Sequence, residues 1–171
     1  VLTTSQKKAL EQQVEACYQQ AECFFDHAFP RPRVLFTQRG KIAGTAHLQK
    51  NLLKFHPILY QENQQAFLTD VVPHEVAHLL VYLVHGRTAP HGQEWQMMMS
   101  KVMQRSPERT HQFDISSVQG KTFAYQCQCQ QHQLSIRRHN KASKGVIYLC
   151  TACKKPLQPL NLHKPRLNIN L

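Results

Sequence analysis

The segment His74-Glu75-Val76-Ala77-His78 constrains this chain more than any other. Two histidines four residues apart share one face of a helix and stack one above the other. On a strand the same residues would not converge in this way. A glutamate beside the first histidine sits about 100° further round a helix, within reach of a water but outside the ligand pair. This H-E-x-x-H spacing is the pattern of zinc hydrolases. It leads directly into the apolar run 76–84, so the helix that carries it belongs in a core.

The chain has 171 residues, 42% of them hydrophobic, room for one medium domain or a domain with a small appendage. It has no run of about 18 uncharged apolar residues, so no transmembrane helix and no membrane partner are expected. Residues 1–8 lack a basic stretch followed by an apolar one, so no signal peptide is expected. The expected location is the cytoplasm, where the six cysteines remain thiols or metal ligands. The net charge of +11 is uneven. Residues 1–100 carry nine Lys/Arg and eight Asp/Glu, whereas residues 101–171 carry twelve and two. A basic C-terminal part suits a polyanion such as nucleic acid, and is otherwise a solvated surface.

Apolar residues recur every three or four positions over residues 5–28, which predicts a helix capped by Ser5 and ended by Pro30 and Pro32. Cys17 and Cys23 read as buried side chains of that helix. Extended pieces are expected at 33–37, 42–49 and 51–56. A helix is expected at 64–85, kinked or restarted at Pro73 and capped by Gly86. A second helix, 92–104, carries an apolar stripe of Trp95, Met98, Met99, Val102 and Met103. The expected division is a core at 1–106, a linker at 107–122, a cysteine-bearing unit with β-like runs at 123–160 and a tail at 161–171.

A hydrolytic zinc takes three protein ligands and keeps one position for water. His74 and His78 supply two. Val81 and Val84 stand where a metzincin needs its glycine and third histidine, so that spacing is excluded. His91 and Glu94 remain as candidate third ligands, and His85 reads as a supporting residue. Glu75 is the candidate catalytic base. Further on, Cys150-x-x-Cys153 has zinc-knuckle spacing. Cys127 and Cys129 complete a Cys₄ set, or His132 replaces one of them. This second zinc would be structural, closing a ribbon too small for a core of its own. Arg137, Arg138, Lys141 and Lys144 are the candidate nucleic-acid contacts, with Phe123, Tyr125 and Tyr148 either stacking on bases or packing within the ribbon.

These motifs together resemble the SprT family of zinc metallopeptidase-like proteins. The resemblance rests on LFTQRGKIAGTAHL at 35–48, VVPHEVAHLLV at 71–81 and APHGQEW at 89–95. It continues through RTHQF at 109–113, YQCQC at 125–129, RRHN at 137–140 and YLCTAC at 148–153. It implies an α+β, zincin-like core with His74, His78 and His91 on zinc and Glu75 catalytic, followed by a zinc ribbon. Phe55-His56-Pro57 departs from the family's usual Leu-Asn-Pro. A similar core occurs in the eukaryotic Spartan proteases, which act on proteins crosslinked to DNA. The resemblance therefore implies a zinc endopeptidase acting on a protein substrate near DNA. The rival is a non-catalytic DNA-binding or regulatory protein with structural zinc. Hydrolysis of a non-peptide amide is a third option.

Overall fold

The computed structural model describes residues 1–108 and 113–160, and it divides them into two units, Val1–Gln119 and Gly120 onward. The expected tail at 161–171 and most of the RTHQF stretch lie outside the described residues.

The first unit opens with α1 (Thr4–Phe25), which buries Leu10, Val14, Cys17, Tyr18 and Ala21 at helical spacing. Its cap is Thr3, not Ser5: the Thr3 side chain accepts from the Gln6 amide while the Gln6 side chain accepts from the Thr3 amide. It ends at Asp26, in the left-handed region, before the prolines are reached. Cys17 is buried as expected. Cys23, six residues on, faces solvent instead, because α1 turns only one stripe towards the core.

Three short strands follow: β1 (Arg33–Leu35), β2 (Gly44–His47) and β3 (Leu52–Phe55). Their order is β1-β3-β2, with β1 parallel and β2 antiparallel to β3. β2 is therefore an edge strand. Helix α2 (Pro57–Glu62) was not legible as a helix, because Pro57 reads as a stop. Proline is favoured in a first helical turn, and His56 caps it. The buried His56 ring accepts from the Leu59 amide through Nδ1 at 3.4 Å. The departure from the family sequence thus keeps an N-capping side chain where asparagine would serve.

The expected helix 64–85 is continuous but not uniform. α3 (Gln64–Ala66) passes through a π-helical turn, Phe67–Val71, into α4 (Val72–His85). Pro73 lacks an amide hydrogen and would crowd the carbonyl four residues back, and the wider π turn accommodates it without a break. This stretch is long and apolar enough to cross a membrane, yet it packs mostly inside the first unit. Gly86 ends α4 at φ 73°. α5 (Gln93–Met97) likewise continues into a π turn, Met98–Val102, and buries Trp95, Met98, Met99 and Val102.

Phe113, Ile115 and Val118 pack against the same core. The stretch expected to be a linker therefore belongs largely to the first unit, because its apolar side chains find a face to cover.

The second unit pairs β4 (Thr122–Gln126) with β5 (Gln131–Ser135) and β6 (Gln158–Pro159), order β5-β4-β6. Between them lies α6 (Ile136–Ala142), a helix where β-like structure was expected. Arg137, Arg138 and Lys141 therefore project from a helix.

Candidate metal centres

α4 supplies His74, Glu75 and His78 from its buried face. The loop after Gly86 returns the chain to that face. His91 adopts φ 57°, a left-handed conformation that histidine tolerates better than β-branched residues. Its carbonyl accepts from Gln96 Nε2 at 3.1 Å, which ties the loop to α5. The three imidazoles meet through Nε2. The separations are 3.3 Å for His74–His78 and 3.1 Å for both His78–His91 and His74–His91. Two nitrogens on one tetrahedral zinc, with bonds of 2.0–2.1 Å, lie about 3.3 Å apart. The triad therefore fits one such ion. Of the two candidates for a third donor, His91 joins this group and Glu94 does not. His85 is exposed, and its side chain makes no polar contact among the described residues.

Burial, and then the His91 ring, push His78 down to about 4, which keeps its imidazole neutral at physiological pH and its lone pair available. Burial pushes the Glu75 carboxyl up to about 7, against the pull of the Ala46 amide, which donates to it from β2.

Two contributors to this site were not recognised from the sequence. Trp95, read as part of the apolar stripe and of the APHGQEW match but given no role at the site, lies with its ring centroid 4.8 Å from that of His74, 5.6 Å from His78 and 4.7 Å from His91. Its indole Nε1 donates to the His74 carbonyl at 3.4 Å. Gly44, read as a bend, runs against Glu75: a Cβ there would come within 2.8 Å of Glu75 Cγ. The signal for both was present, a tryptophan four residues after His91 and a glycine inside an extended run, but nothing local gives their three-dimensional partner.

In the second unit, Cys127, Cys129, Cys150 and Cys153 bring their Sγ atoms within 4.8 Å of one another. Cys127–Cys129 is 3.4 Å and Cys129–Cys150 is 3.7 Å, close to the roughly 3.8 Å edge of a tetrahedral zinc–thiolate site. His132 stands beside this set, Nε2 3.3 Å from Cys127 Sγ. Desolvation opposes ionisation of Cys127, but the His132 ring and the Cys129 and Gln130 amides outweigh it and lower its pKa. Cys129 is raised, first by Cys127 and then by Cys153. The cluster thus favours thiolate at Cys127, the form that binds metal.

Arg137, Arg138, Lys141 and Lys144 are all exposed. Arg138 lies over the Tyr148 ring at 6.0 Å. The aromatics are engaged within the ribbon. Phe123 stacks on His139 at 3.7 Å, and the Tyr125 hydroxyl pairs with His139 Nδ1 at 3.0 Å.

The α+β unit converges three imidazoles and the unit that follows converges four thiols, donor sets that both suit zinc. The SprT-like family model matches residues 14–118, and the SprT-like zinc ribbon domain matches residues 121–161. The chain belongs to the SprT-like family. It is 54% identical over 149 residues to the protein SprT of Shewanella oneidensis, covering 86% of this chain and 95% of that protein. It is 51% identical over 156 residues to the protein SprT of Actinobacillus succinogenes, covering 91% and 92%. The protein SprT of Yersinia pestis is 48% identical over 160 residues, covering 91% and 94%. No solved structure matches.

Proposed function

We propose that this chain is a zinc-dependent peptidase with a zincin-like core, that it hydrolyses peptide bonds in DNA-associated proteins, and that it works in the cytoplasm. The observation that carries the reading is the convergence of three Nε2 atoms at tetrahedral spacing beside a buried carboxylate. Zinc held there would supply Lewis acidity towards water and a peptide carbonyl. His74, His78 and His91 hold it, and Trp95 packs against the three rings and restrains them. Glu75 takes the proton of the attacking water at its carboxylate and returns it to the leaving amine. Gly44 and the Ala46 amide set the position of that carboxylate.

The cysteine ribbon holds a second, structural zinc. The exposed cations of α6, Arg137, Arg138 and Lys141, offer phosphate contacts. Free thiols and thiolate ligands suit a reducing compartment.

Glu75→Gln tests the mechanism. The variant should bind as much zinc as the native chain and cleave a DNA-bound protein substrate about 10²- to 10⁴-fold more slowly. Undiminished cleavage would remove Glu75 from the chemistry. If native chain and variant bind DNA alike and neither cleaves, the non-catalytic alternative stands in its place.

A further inference from the structure

Next to the histidine triad lies a second feature. A cavity of about 350 Å³ is lined by His47 at the end of β2, by Leu48, Gln49 and Lys50 of the following turn, and by Tyr82 and Arg87. Tyr82 stands on α4 one turn beyond His78. That is about 6 Å along the helix axis, the rise of about two residues of extended chain.

Its charge is one-sided. No carboxylate occurs in the sequence between Asp26 and Glu62, or between Glu75 and Glu94, the two stretches that build the cavity wall. Lys50 and Arg87 make no ion pair or side-chain hydrogen bond among the described residues. Arginine elsewhere in the same unit behaves differently, since Arg31 is fully engaged by Glu15 and Glu22. Two unengaged cations beside a cavity await an anion from outside the fold.

The neighbouring strand selects the kind of anion. β2 pairs only with β3 among the described residues; Glu75 takes the Ala46 amide, and the rest of its outer edge is open to an extended polypeptide. A chain laid on that edge passes Glu75, which touches Gly44 and Ala46 of β2, and then reaches His47 and the cavity. A duplex or a single nucleic-acid strand has no such pairing to make.

We propose that this cavity is a side-chain subsite selecting an acidic residue, Asp or Glu, about two positions from the bond that is cut. The proposal rests on the peptidase reading of the triad and adds a specificity to it. Arg87 and Lys50 neutralise the carboxylate, and Tyr82 forms part of the wall between the subsite and the triad.

Peptide binding tests it without requiring turnover. The probes are uncharged ten-residue peptides with a single Glu walked along the sequence, each with a Gln sister, on zinc-loaded full-length Glu75→Gln protein. The Glu peptide should bind about fivefold tighter than its sister at one register, for one partly exposed ion pair. That preference should vanish in a further Arg87→Gln variant and pass to a Lys peptide in Arg87→Glu, with folding checked by amide exchange. Equal affinity for Glu and Gln at every register overturns the proposal, as does a preference that survives both Arg87 variants. An oligothymidine weakened by Arg87→Gln while the peptides are unaffected makes the cavity a phosphate site and also overturns it. If the Glu preference holds but native protein cleaves none of the peptides, the subsite stands and the peptidase reading falls.

Discussion

The two ligand clusters are built by opposite means. The histidine triad rests on a helix whose residues Val72, Val76, Ala77, Leu79 and Leu80 are buried in a large core. The cysteine cluster belongs to a unit whose buried hydrophobic residues are Tyr125, Leu134 and Cys150 among those described. In the first case folding energy from apolar burial positions the ligands before metal arrives. In the second there is little apolar burial to do so, and on the proposed reading bound metal would supply the folding energy. On the proposed reading the same element would do different work in the two places, adding reactivity in one and cohesion in the other.

Zinc removal is the strongest way to break this comparison. Chelation should release amide protection across residues 122–160 while amides of α1 and α4 stay protected, as followed by hydrogen exchange. Structural zinc in small fingers contributes roughly 10–16 kcal/mol, far more than so small a core. A ribbon that stays protected without metal would erase the distinction.

Gly44→Ala probes how tightly the core fixes the first site. The added Cβ meets Glu75 Cγ at 2.8 Å, so the carboxylate must move. Zinc content should hold while cleavage falls about 10- to 100-fold, the scale of a misplaced catalytic group. Unchanged cleavage would mean that Glu75 has slack the core does not control.

A smaller effect is expected at the start of α2. His56→Ala should destabilise the first unit by about 1 kcal/mol, and His56→Asn should recover most of it, in denaturant titrations. Equal loss in both variants would deny the capping role.

The smallest effect lies on the surface of the first unit. Hydrogen bonds from Arg31 and then from the Phe29 amide hold the Glu22 carboxyl down at about 2, below its ordinary 4.5. A lowered carboxyl stabilises the fold above its unfolded value and loses that contribution as pH falls from about 4.5 towards 2. The stability difference between native protein and Glu22→Gln should shrink across that window. A difference that ignores pH would exclude the ion pair as its source.

What could be read from the sequence follows the range of the interactions. His74, Glu75 and His78 are joined by a single helical turn, so their spacing is enough to place them. Cys150 and Cys153 are similarly local. His91 could be narrowed only to a pair with Glu94 by the residues themselves, because its place depends on a left-handed turn that its own loop does not announce. The approach of Gly44 to Glu75 was not legible because that partner lies far along the chain, whereas Trp95 is buried as its stripe predicts and its contacts with the three histidines come in addition. α2 and α6 were missed because a proline start and a short basic helix lack the long apolar period that marks α1 and α4. Phe113, Ile115 and Val118 were assigned to a linker because sparse apolar residues carry no period at all.

Trp95 has one more consequence. It is the sole tryptophan in the chain, and its ring lies within 6 Å of all three imidazoles. The molecule therefore carries its own optical probe of the triad. Titrating in a paramagnetic ion such as cobalt should quench its emission in proportion to occupancy of that site.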